Sequence, residues 1–233
     1  MPPLFFFRGP PLEFLLTELV YFLIVFILCI LIFSRTNSIY QLTKHKGIFH
    51  FRNIFLFFSL AYLFRLVFIS FSLSAEFTDI FLPRLIGFLL LTFISFFSTM
   101  AILSMVTAVL IRRLKKISGL LYWLLGISLL ISSVTFVTRS HRELLLLQTV
   151  VFLFTVMLVF YRSRKIREYH LVTQNNLTYL LLFVFWVLNV ISFDRRLVPY
   201  EYKIPLYILS AAVFFWVYWR VKKRLEGNAK KKG

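Results

Sequence analysis

Polar and apolar residues do not alternate along this chain. The apolar residues fall into seven blocks, at 14–34, 54–74, 85–111, 118–137, 144–161, 177–193 and 204–219, separated by short polar and mostly basic gaps. A helix needs about 20 apolar residues to cross the ~30 Å hydrocarbon core of a bilayer. Each block is close to that length. The third is long enough to tilt or project, and the last three are short enough to borrow a turn from their flanks. Membrane strands would show alternation over about 10 residues, whereas these blocks are apolar on every side. The pattern predicts an all-α polytopic bundle of seven transmembrane helices over residues 1–220, with a basic tail at 221–233. Block 14–34 has only Arg8 before it and no small-residue cleavage site after it, so it reads as a retained first helix rather than a signal peptide.

Composition excludes the alternatives. Hydrophobic residues make up 60% of the chain and charged residues 15%, and 30 of the 233 residues are Phe. An ordinary soluble domain carries about 25% charged residues, and one of this size could not cover so much apolar surface. Disorder is excluded for the same reason. The net charge of +18 sits between the blocks rather than on a soluble basic face, which points to anionic lipid headgroups and away from nucleic acid. Cys29 is the single cysteine, so the fold uses no internal disulfide.

Little in the sequence supports catalysis. His45, His50, His141 and His170 all fall in gaps, and no block pairs a histidine with a carboxylate or a second histidine at metal-ligand spacing. No block holds two carboxylates, the serines have no buried base, and the glycines form no phosphate loop. The expectation is no cofactor, no metal and no enzyme.

The gaps themselves are asymmetric. Nineteen Lys and Arg lie after blocks one, three, five and seven, in the clusters Arg35–Arg52, Arg112–Lys116 and Arg162–Arg167 and in the tail, against seven on the other side. The positive-inside rule then places the N-terminus outside and the C-terminus in the cytoplasm. Trp216, Tyr218 and Trp219, just before the basic tail, suit an aromatic belt at the headgroups.

Charges inside a span are costly and become functional candidates. Two fall within the blocks, Glu18 near the outer edge of the first and Arg65 near the middle of the second, and they are expected to pair. Thr92, Ser95 and Thr99 share one face of the third block, Gln148 lies in the fifth and Asn189 in the sixth, all in the outer halves. If these faces converge, Arg65, Glu18, Thr92, Ser95, Gln148 and Asn189 line an outward-open pocket for an anionic small or lipidic ligand. The competing account is interhelical packing, which also suits Gly119, Gly126 and Ser133 at seven-residue spacing.

Several seven-helix families lack their marks here. "IPLYILSAAVFFWVYW" in block seven holds no retinal-type lysine and no Asn-Pro-x-x-Tyr, and "LIRRLKK" closes block three without an acidic-Arg-Tyr. The basic-aromatic stretch "FHFRNIFLFFSLAYLFRLVF", which runs into block two with an arginine inside it, resembles the membrane sensor modules of prokaryotic histidine kinases and related orphan seven-helix proteins. That resemblance implies a receptor of a prokaryotic plasma membrane. Because the chain carries no output domain, it also implies a membrane or cytoplasmic protein partner. A small-solute transporter or a structural subunit of a membrane complex is the alternative. A transporter needs polar faces that continue to the cytoplasmic side, and the cytoplasmic halves of most blocks are nearly all apolar.

Overall fold

The computed structural model describes residues 12–78, 84–110, 120–138, 146–151, 153–154, 157, 169–193 and 198–229. The described residues are helical apart from two short connections and contain no strand. In chain order the helices are α1 (Leu12–Thr43), α2 (Lys46–Thr78), α3 (Arg84–Leu110), α4 (Leu120–Thr138), α5 (146–151), α6 (Tyr169–Phe193) and α7 (Tyr200–Ala229). Among the described residues, four helices are long and apolar enough to cross a bilayer: Leu12–Thr43, Gly47–Ser74, Leu85–Ala108 and Glu201–Lys223. Tyr122–Thr138 and Leu177–Asn189 are shorter apolar helices among the described residues. The basic clusters Arg112–Lys116 and Arg162–Arg167 lie outside the described residues. So do Arg8, Asp79, Gly119, Arg139, His141, Arg142, Glu143, Asp194, Arg195, Arg196 and Lys230 to Lys232.

The first gap in the apolar pattern is not a loop. No Gly or Pro occurs from Leu12 to Lys46, so nothing in Ser34–Thr43 stops the helix, and α1 carries on for ten polar-rich residues. The chain reverses in only two residues. Lys44 takes the left-handed conformation (φ 50°), and its amide donates to the Tyr40 carbonyl at 2.8 Å, closing the end of α1. Nδ1 of His45 then accepts from the Gly47 amide at 3.1 Å, satisfying one of the orphan donors that open a helix. Below this turn Arg52 fixes the hairpin. Its guanidinium lies 4.7 Å from the Tyr40 ring centroid and 4.9 Å from that of Phe49, and it donates to Asn37 Oδ1 at 2.7 Å.

Contacts along the helices give their directions. Phe22 meets Tyr62 while Asn37 meets Arg52, so α1 and α2 are antiparallel. Phe64 stacks with Phe93 and His50 bonds Thr107, so α2 and α3 are antiparallel too. Tyr207 stacks on Tyr21 and Tyr218 lies under Arg35, so α7 runs parallel to α1. The main core joins α1, α2, α6 and α7 with one edge of α3, around Val25, Ile32, Phe55, Phe185, Phe214 and Val217. A second group of small clusters packs α4 and α5 against the other side of α3, through Leu91 with Ile131 and Met100 with Leu124.

Three expectations change at the helix ends. Gly227 does not stop α7, which continues to Ala229. The first nine residues of the expected tail are therefore the last turns of a helix. Lys203, which the apolar pattern leaves in a gap, lies inside α7 and is 2% exposed. The stripe of small residues on α4 does not pack: Gly126 and Ser133 are exposed, and a Cβ added at Gly126 would meet nothing within 4 Å.

Candidate functional site

Among the described residues, two polar clusters form within the bundle, one on each side of the α2–α3 interface. The first lies toward the Leu12 end of α1, at the level of Tyr21 and Phe22. Its hub is Asn189 on α6. Asn189 Oδ1 accepts from Tyr21 (2.9 Å) and Tyr62 (2.7 Å), and Nδ2 donates to the Phe185 carbonyl (2.8 Å) and Ser210 Oγ (3.1 Å). Tyr21 and Ser210 are themselves 2.8 Å apart. The Tyr21 proton is used on Asn189, so Ser210 donates to Tyr21 and the three groups close a ring. All four hydrogen-bonding positions of the amide are occupied. One side chain thus ties together α1, α2, α6 and α7.

Charges adjoin this ring. Tyr207, stacked on Tyr21 at 4.6 Å between centroids, donates to Glu18 Oε1 at 2.6 Å. The Arg65 guanidinium lies 4.9 Å from the centroid of Tyr62 and 5.7 Å from that of Phe22. Its charge therefore meets the negative faces of two rings. Lys203 Nζ lies 5.1 Å from the Phe14 centroid. Tyr207 is within electrostatic reach of both Glu18 and Arg65. Arg65 stands level with Phe22, two residues from the centre of block 14–34, or about 3 Å at 1.5 Å per residue. The reason is the two-residue hairpin, which fixes the register of α2 on α1.

The second cluster is Gln148 of α5 against α3. Gln148 is buried, and its Nε2 donates to Ser98 Oγ (2.6 Å) and Thr99 Oγ1 (3.2 Å) and approaches the Ser95 carbonyl (3.4 Å). Ser95 Oγ meets Thr135 of α4 at 3.3 Å. Thr92 joins neither cluster, because its hydroxyl donates to the carbonyl of Phe88 in its own helix at 2.8 Å.

The six residues singled out in the sequence are therefore divided. Glu18, Arg65 and Asn189 belong to the first cluster, Ser95 and Gln148 to the second, and Thr92 to its own backbone. Four partners were missed, Tyr21, Tyr62, Tyr207 and Lys203. The tyrosines were counted as apolar, yet a buried phenol needs a hydrogen-bond partner, and a tyrosine within a span is a readable signal on that ground. Among the described residues no group of three His, Cys, Asp or Glu is placed to hold a metal ion.

The chain is 33% identical over 234 residues to an uncharacterized protein of Archaeoglobus fulgidus, an alignment covering 96% of this chain and 99% of that one. No family model and no solved structure matches it.

Proposed function

This chain belongs to the same family as the Archaeoglobus fulgidus protein, and we propose that it is a receptor-like, non-enzymatic protein of a prokaryotic plasma membrane. In this reading seven helices span the bilayer, the N-terminus is outside and the C-terminus is cytoplasmic. The ligand is a small or lipidic anion bound in the outer half, on Arg65 and Lys203. The observation that carries the reading is the convergence of Glu18 and Arg65 with three tyrosines and Asn189 in one layer across four helices, with Lys203 beside Phe14 one helical turn away. Intramembrane charges mark functional sites by default, and a guanidinium and an ammonium are the groups an anion would engage. Continuous helices support a path for the signal: α1 and α2 run from this layer to the basic hairpin at Lys44 and His45, where a membrane or cytoplasmic partner would read the change.

Thiol labelling tests site and topology together. In a chain with Cys29→Ser, a cysteine at Glu18 is expected to react with impermeant methanethiosulfonates added outside. The anionic reagent should react about tenfold faster than the cationic one, because Arg65 and Lys203 make the surroundings cationic. A cysteine at Thr43, at the exposed hairpin, should react only after lysis. No reaction at Glu18 with either reagent would make the layer a sealed structural lock. Reaction at Thr43 from outside would invert the topology.

A further inference from the structure

A second feature opens on the outer face of α1 and α7, one turn beyond the polar layer, and uses none of its polar groups. Ala211 and Ala212 on α7 face Ile24, Ile27 and Leu28 on α1, and Phe215 closes one side. Two alanines opposite branched side chains leave a groove of about 480 Å³, open on one side and lined by apolar side chains alone. Its walls are well exposed: Ile24 is 42%, Ile27 48% and Phe215 55% accessible. The aromatic floor continues beyond it. The Phe215 and Tyr218 ring centroids are 6.1 Å apart, and the Arg35 guanidinium lies over Tyr218, 5.9 Å from its centroid. Lys222 lies over Trp219 at the same distance.

We infer that this groove is a site for one anionic phospholipid, with an apolar chain between α1 and α7 and the phosphate at Arg35. Two observations choose this occupant. The first is length. Ile24 and Arg35 are eleven residues apart on one helix, roughly 16 Å at 1.5 Å per residue, about half of the ~30 Å hydrocarbon core. The groove, lined on α1 from Ile24 to Leu28, therefore lies toward mid-bilayer, and Arg35 lies one acyl-chain length away at a headgroup layer. The second is charge. After Glu18, α1 holds no carboxylate, and α7 holds none from Tyr202 to Leu225, while Arg35, Arg220, Lys222 and Lys223 mark the headgroup end. A guanidinium binds phosphate with parallel donors, which an ammonium cannot do.

Native mass spectrometry tests the site, with the full chain in micelles holding equal amounts of phosphatidylglycerol and phosphatidylcholine of identical chains. The wild-type chain is expected to retain one phosphatidylglycerol, preferred about tenfold, as one charge-assisted contact provides. Arg35→Gln should abolish the preference, and Arg35→Lys should keep part of it. Ala212→Trp, which fills the groove from an exposed position, should abolish retention of both lipids. Arg35 is also exposed, so these variants fold, and circular dichroism melts verify it. Equal retention of the two lipids by the wild type overturns the proposal. So does a preference that survives Arg35→Gln, or a lipid count unchanged by Ala212→Trp. A dimer that Ala212→Trp dissolves would assign the groove to a second copy and overturn it as well.

Discussion

Arg65→Leu is expected to cost the folded protein about 3 kcal/mol in reversible unfolding titrations in mixed micelles. Adding Glu18→Gln should recover part of that loss. The guanidinium lies against Tyr62 and Phe22 in a layer that also holds the Glu18 carboxylate. Removing the cation leaves the carboxylate in low dielectric with less compensation, and neutralising Glu18 removes that penalty. One helical turn from Tyr207 a second cation, Lys203, is almost fully buried over Phe14. The cycle therefore needs two arms. A coupling of 1 kcal/mol or more, roughly what double-mutant cycles resolve, between Glu18→Gln and Arg65→Leu identifies Arg65 as the electrostatic partner. The same coupling with Lys203→Leu assigns that role to the lysine. Additive losses in both arms would show that neither cation is the electrostatic partner of Glu18.

The layer also shows what a sequence reader can and cannot see. The helical class was legible because a chain in hydrocarbon must satisfy its own backbone groups, and a run of apolar residues then has few options. Helix ends were less legible. Ser34–Thr43 is polar enough to look like a loop but has no breaker, and hydrogen bonding carries α1 through it. The start of α7 misled in the same way. "YEYK" precedes Pro205 and looks like a linker, yet the helix opens after Pro199 and tolerates Pro205 in its second turn, which takes Lys203 into the bundle. Glu18, Arg65, Gln148 and Asn189 stood out as polar residues in apolar runs. Their grouping did not, because it depends on which helices touch. Thr92 shares a face with Ser95 by spacing, but a threonine in a helix can spend its hydroxyl on its own backbone, as Thr92 does.

Asn189 and Gln148 give the sharpest contrast between the two polar clusters. Asn189→Leu is expected to destabilise the protein by about 2–4 kcal/mol, and Gln148→Leu by about 1 kcal/mol, near the average for single interhelical hydrogen bonds in membranes. Both side chains bridge helices, but their partners differ in what they lose. Without Asn189, the Tyr62 phenol loses its amide acceptor and the Tyr21–Ser210 ring opens. The hub of four helices then becomes apolar around stranded hydroxyls. Without Gln148, Ser98 and Thr99 still donate to the Ser95 carbonyl at 3.1 and 2.8 Å, so each hydroxyl gives up an incoming bond only. Unfolding titrations on the two variants, read by tyrosine and tryptophan fluorescence, should separate them by at least 1 kcal/mol. Tyr62→Phe provides the internal check. Added to Asn189→Leu it should restore stability, because the phenol that lost its acceptor is gone. Added to Gln148→Leu it should only add its own cost. Equal losses from the two single variants, with no rescue by Tyr62→Phe, would mean that the ring at Asn189 does not organise the four helices.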